Sequence, residues 1–130
     1  MIPLKQTKLH SDVQKGNCFA ATLASILHLN IEDIPEFENG KWQRQLNEWL
    51  SQYSLAFIEL DDFKTDCNLF GINGCHHEIG GYSERSKSRG HSCVGVDGEV
   101  VFDVHPSDAG LNSIFRYGVF ISLEPWKLVK

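Results

Sequence analysis

The sequence predicts a single α+β domain, with a buried N-terminal helix packed on an antiparallel sheet. Three observations carry this reading. Helical periodicity occupies the first half of the chain and strand-like alternation the second, and helices followed by strands define the α+β class. An Asp-Gly pair, Asp97 and Gly98, separates two strand-like runs, which marks a hairpin and therefore antiparallel pairing. The 130 residues hold no repeat, low-complexity tract or linker, so 1–130 is expected to form one domain with a modest core.

Residues 1–15 read as extended or irregular. Gly16 permits a turn, Asn17 is a favourable N-cap, and a helix is expected from Cys18 to Leu29. Phe19, Leu23, Ile26, Leu27 and Leu29, with alanines between them, make that helix apolar nearly all round, so it belongs at the centre of the domain. Over residues 41–53, Trp42, Leu46, Trp49, Leu50 and Tyr53 fall on one face of a second, amphipathic helix. "LAFIEL", residues 55–60, reads as a strand, and 61–75 as irregular. Further strands are expected near 76–83, 91–96, 99–105 and 115–123, with Phe115, Tyr117, Val119, Ile121 and Leu123 on one face of the last. "SERSKSRG" reads as a solvated loop at a cleft rim, where Arg85, Lys87 and Arg89 would attract an acidic ligand group.

Composition narrows the function. Apolar residues make up 42% and charged residues 22%, ordinary values for a globular chain. A net charge of -5 gives no electrostatic reason to bind nucleic acid or acidic membranes, so neither is expected as a partner. No apolar run is long enough to cross a bilayer. "MIPLKQTKLH" lacks the apolar core of a secretion signal, so a cytoplasmic location with reduced thiols is expected.

The hairpin at residues 90–106 permits a register argument. A two-residue loop of Asp97 and Gly98 would set His91 opposite Val104 and mix polar and apolar residues on both faces. A three-residue loop, Val96-Asp97-Gly98, sets His91 opposite Asp103. It gathers Ser92, Val94, Val100, Phe102 and Val104 on one face, and His91, Cys93, Gly95, Glu99, Val101, Asp103 and His105 on the other. Because a one-residue slip flips every side chain, the segregated arrangement is expected.

Those residues suggest nucleophilic chemistry. A thiol at a helix N-terminus beside an imidazolium is driven toward the reactive thiolate. Cys18 would be the nucleophile, His91 the general base, and Asp103 the group that fixes the tautomer of His91. The Cys18 N–H is available to an oxyanion, with a Gln side chain as second donor, for which Gln6 and Gln14 are the candidates. His105 shares the face of Asp103 and is an alternative base. "CHH" at 75–77, with Cys67 and Cys93, invites a zinc reading. No C-x-x-C or H-x-x-x-H pair supports it, and His76 and His77 should point to opposite faces of a strand. No cofactor or metal is expected.

Four segments, "QT" at 6–7, "GNCFAATLASIL" at 16–27, "GHSCVG" at 90–95 and "FDVHPS" at 102–107, resemble papain-like cysteine peptidases. They are most similar to small bacterial and phage proteins related to the bacteriocin-processing leader peptidases. The resemblance implies a minimal papain-like fold and a cysteine-type hydrolase that cleaves a peptide or isopeptide bond in a peptide or protein substrate. It maps Cys18, His91 and Asp103 as the triad, and the "QT" segment makes Gln6 the first candidate for the oxyanion donor and Gln14 the second. In the leader peptidases a Gln lies shortly before the Cys, at a position that is Asp12 here. Two alternatives stand beside this reading: a catalytically inactive binding module on the same scaffold, and an acyl-transferase or transglutaminase-type enzyme using the same triad.

Overall fold

The computed structural model describes residues 1–11, 16–38, 40–61 and 74–124, apart from the side chains of 86–88. Among the described residues, two α-helices, α1 (Cys18–Leu27) and α2 (Trp42–Leu50), precede five strands: β1 (Leu55–Leu60), β2 (His76–Ser83), β3 (Ser86–Val96), β4 (Glu99–Asp103) and β5 (Ser113–Ser122). The strands form one antiparallel sheet in the order β1-β5-β2-β3-β4. The chain is thus α+β. Among the described residues, no helix is long and apolar enough to cross a membrane.

Both helices pack on the same side of the sheet, α1 on β3 and α2 on β1. Between them lies a core of Leu23, Ala24, Ile34, Leu46, Leu50 and Phe57. Phe57 is its hub, meeting Phe19, Trp42 and Phe120 edge-on at 6.1, 6.0 and 5.4 Å between ring centroids. The Asn47 side chain fastens α2 to β1, accepting from the Phe57 N–H at 2.7 Å and donating to its carbonyl at 3.2 Å. On the opposite sheet face, Leu60 and Val119 pack with Ile58, Tyr117 and Ile121, as the alternation in β5 predicts. Phe115 leaves that pattern, because a bulge between Gly80 and Gly81 shifts the β2–β5 register there. Its ring packs on Tyr82 instead.

Three expectations need correction. The helix stops at Leu27, because His28 turns into the left-handed conformation and its N–H caps Ala24. The stretch 86–90 is strand: β3 begins at Ser86 and continues a hairpin with β2, so only the tip of "SERSKSRG" is a turn. The β3–β4 loop has two residues, not three. Asp97 (φ 52) and Gly98 (φ 82) both occupy positive φ, the conformation of a type I′ turn, whose twist matches the flanking strands. Val96 therefore opposes Glu99 and Gly95 opposes Val100, after which a shift leaves Val101 unpaired. Beyond it Val94 opposes Phe102, and Cys93, not His91, opposes Asp103. The bulge restores the parity that the three-residue loop would have supplied, so His91, Cys93 and Asp103 still share a face.

Candidate active site

Cys18 is the first residue of α1, and the chain around it is held by an unexpected clamp. Asn17 occupies the N-cap position, yet its side chain caps nothing in the helix. Its Oδ1 accepts from the N–H groups of Thr7 (3.1 Å) and Lys8 (2.8 Å), and its Nδ2 donates to Thr7 Oγ1 (2.7 Å). The amide thus spends its hydrogen bonds on the N-terminal strap. The first turn of α1 is left uncapped from that side. The strap is also tied to the end of β4 and to residues 104–108 beyond it. Gln6 N–H donates to Val104 O at 2.8 Å. Lys5 Nζ donates to the carbonyls of Asp103 (2.7 Å) and His105 (3.0 Å) and pairs with Asp108.

These ties bring Gln6, Cys18 and His91 to one cleft of about 940 Å³, whose walls also include Trp42, Arg89 and Arg116. The Cys18 thiol and the His91 imidazole lie close enough for each to shift the other's titration. On its other side the imidazole donates from Nε2 to Asp103 Oδ1 at 2.7 Å, with both side chains buried. That bond leaves Nδ1 as the nitrogen for Cys18. Two amides hold the carboxylate: His105 N–H donates to Oδ1 at 2.9 Å and Gly110 N–H to Oδ2 at 2.8 Å.

These contacts set the electrostatics. Burial opposes charge on Cys18, but the His91 hydrogen bond and charge, with the N–H groups of Ser92 and Phe19, outweigh it and bring the thiol below its ordinary value. Burial also opposes a charged His91. The bonds to Asp103, Cys18 and Cys93 prevail, and its pKa is pushed up to about 11. Burial would raise the Asp103 pKa, but His91 and the two amides hold it well below the usual carboxylate range. Cys93, buried against the same imidazole, moves upward. The arrangement favours a thiolate–imidazolium pair at Cys18 and His91, braced by Asp103.

Gln6 reaches the cleft wall, buried, its Nε2 donating to Lys8 O at 2.8 Å and its Oε1 without a partner among the described residues. Gln14 and Cys67 lie outside the described residues, as do Asp12 and the side chain of Lys87. Arg85 and Arg89 line the cleft, Arg85 bonded to Ser107 Oγ at 2.8 Å. The His105 ring turns to Ser107, so Asp103 takes only its backbone N–H. Cys75 and His76 are exposed while His77 is buried, its Nδ1 at the Glu78 carbonyl.

Sequence reasoning missed Arg116. Its Nε donates to both oxygens of the fully buried Glu78, at 2.6 and 3.2 Å. Its guanidinium lies over Trp42 at 4.9 Å and Phe115 at 5.3 Å in the cleft wall. Gly80 makes the room, since a Cβ there would meet Nη2 at 2.8 Å. Burial pushes the Glu78 pKa up to about 7 against the pull of Arg116. A lone carboxylate in "HHEIGGYS" and a lone cation in "FRYGVF" were the available signal, because charges inside buried strands require partners.

The fold and site define an α+β protein with a Cys–His–Asp constellation at the start of a helix. No family model matches the chain, and neither a curated protein nor a solved structure matches it.

Proposed function

We propose that the protein is a cytoplasmic cysteine-type hydrolase of the papain-like class, cleaving a peptide or isopeptide bond in a peptide or protein substrate. One observation carries the reading. A thiol at the first turn of a helix shares a cleft and couples electrostatically with an imidazole whose Nε2 is fixed to a buried carboxylate. A cysteine-bearing helix packed on the strand that carries His91 supports the finer fold reading.

In this mechanism the Cys18 thiolate attacks the scissile carbonyl. The Cys18 N–H, uncapped by Asn17, faces the developing oxyanion, with Gln6 as the side-chain donor. His91 protonates the leaving amine and then takes a proton from the water that hydrolyses the thioester. Asp103 holds the ring in place throughout. The cleft walls offer Phe19, Trp42 and Phe115 for apolar contact and Arg85, Arg89 and Arg116 for acidic groups.

An electrophilic probe for activated cysteines tests the proposal. Labelling at Cys18 that is lost in His91→Ala, followed by turnover of members of a peptide library, is the expected result. Equal labelling of both proteins overturns it. A non-catalytic binding module is the second reading. It is favoured by the Gln6 amide, which commits an N–H to Lys8 O and buries its oxygen. A labelled protein with no turnover would support that reading. Transfer to an added amine in place of hydrolysis would indicate the acyl-transferase alternative.

A further inference from the structure

Cys93 takes no part in the proposed mechanism, yet it sits against the same groups. His91 and Cys93 are two residues apart on β3 and so project to one face, and Cys93 opposes Asp103 across the β3–β4 ladder. All three side chains are buried, and one ligand atom from each lies within 4.8 Å of the other two. Among the described residues no other group of three such side chains comes this close.

We propose that His91, Cys93 and Asp103 form a binding site for a thiophilic divalent cation of the zinc class. An imidazole, a thiolate and a carboxylate are all ligands that zinc accepts. In a tetrahedral site, bond lengths of about 2.0 to 2.3 Å set ligand atoms about 3.3 to 3.6 Å apart. The His91–Asp103 contact therefore opens from its 2.7 Å hydrogen bond, and the sulfur closes in from within 4.8 Å. The shifts needed are about an ångström or less. A thiolate and a carboxylate together neutralise a divalent ion, which removes the main penalty of burying it. The His105 and Gly110 amides on Asp103 are the outer hydrogen bonds that orient a ligating carboxylate. His91 lines the cleft while Cys93 and Asp103 do not, so the ion must pass the edge of the imidazole to reach them.

The consequence for catalysis rests on the hydrolase reading. A cation on Nε2 replaces the proton that His91 shares with Asp103. Nδ1 then keeps its own proton, and the ring can no longer accept one from the thiol or from water. Occupation of the site would hold the enzyme inactive.

Cobalt(II) titration of the reduced protein, with zinc(II) displacing it, tests the site without any need for turnover. The expected result is a single cation per chain with a thiolate-to-cobalt charge-transfer band and the intense visible absorption of tetrahedral cobalt. Cys93→Ser should abolish the charge-transfer band, and Asp103→Asn should weaken binding at least about tenfold. Cys18→Ser should keep the charge-transfer band, because the Cys18 sulfur is not a ligand. Circular dichroism confirms that each variant is folded. Absence of the band in wild type, its survival in Cys93→Ser, unchanged affinity in Asp103→Asn, or its loss in Cys18→Ser would each overturn the assignment. If cobalt binds as expected but Cys18 resists the electrophilic probe in the metal-free protein, the hydrolase reading fails and the cation site stands.

Discussion

His91 Nε2 lies 2.7 Å from Asp103 Oδ1 although the two residues are not paired across the ladder; Cys93 occupies the place opposite Asp103. The carboxylate reaches diagonally to the imidazole while the Gly110 and His105 amides fix its two oxygens. The pair is therefore a buried, oriented unit, and its effect on Cys18 can be measured.

Alkylation of Cys18 by iodoacetamide should stay fast well below the ordinary thiol range, because His91 and the Ser92 and Phe19 N–H groups favour the thiolate. In His91→Ala the rate should follow the thiol's unassisted titration and fall by at least about tenfold at pH 6. A pH–rate profile read by mass spectrometry at Cys18 decides the matter, and superimposable profiles would refute the pairing.

Asp103→Asn keeps the shape but removes the charge that holds the His91 proton. The expected loss of stability is about 1 to 3 kcal/mol in urea denaturation. Cys18 labelling should slow toward that of His91→Ala. A folded variant with wild-type labelling would mean that Asp103 does not position His91.

Stability depends on pH through both members of the thiol–imidazole pair, with opposite signs. His91 has its pKa raised from 6.5 to about 11, so its stabilisation is complete below about 6.5 and is lost as pH rises toward 11. Cys18 has its pKa lowered from 9.0, so its stabilisation is present above 9.0 and lost as pH falls through the folded value. Between the folded Cys18 value and 9.0 the two slopes oppose each other, and the pair should flatten the wild-type curve. Cys18→Ser removes one slope. Its stability should fall relative to wild type as pH rises in that window, by at most about 1.4 kcal/mol per pH unit. Parallel curves from urea unfolding would rule out the coupled pair.

Asn17→Ala would ordinarily remove a helix cap. Here it removes three hydrogen bonds to Thr7 and Lys8. The expected effect is a loss of about 1 to 3 kcal/mol, with faster amide exchange at Thr7 and Lys8 rather than in the first turn of α1. Exchange confined to α1 would restore the ordinary capping role.

Arg116→Ala removes the partner of the buried Glu78, whose pKa of about 7 should then rise further, so that the carboxyl folds protonated at neutral pH. A loss of about 1 to 3 kcal/mol is expected, from the hydrogen bonds no longer made. The double variant Arg116→Met with Glu78→Met should recover part of it, since neither group is then buried alone. Thermal or urea unfolding of the two proteins tests this directly.

The order of helices and strands was legible in the chain because periodicity is a local property. "LAFIEL" and "HHEIGGYS" fell on β1 and β2 as read. So was the shared face of His91, Cys93 and Asp103, since segregating apolar from polar residues admits one parity. The device that achieves it was not legible. A two-residue turn with a bulge at Val101 and a three-residue loop give the same parity, and the strand twist selects the former. Nor did local pattern reveal that Asn17 would bind Thr7 and Lys8, or that Arg116 would reach Glu78 under Trp42. Arg116 and Glu78 are far apart in sequence, and Asn17 meets Thr7 and Lys8 only where the chain doubles back. Those contacts depend on how the N-terminal strap, the helices and β5 dock on one another, and the approach of Cys18 to His91 is decided by that same docking.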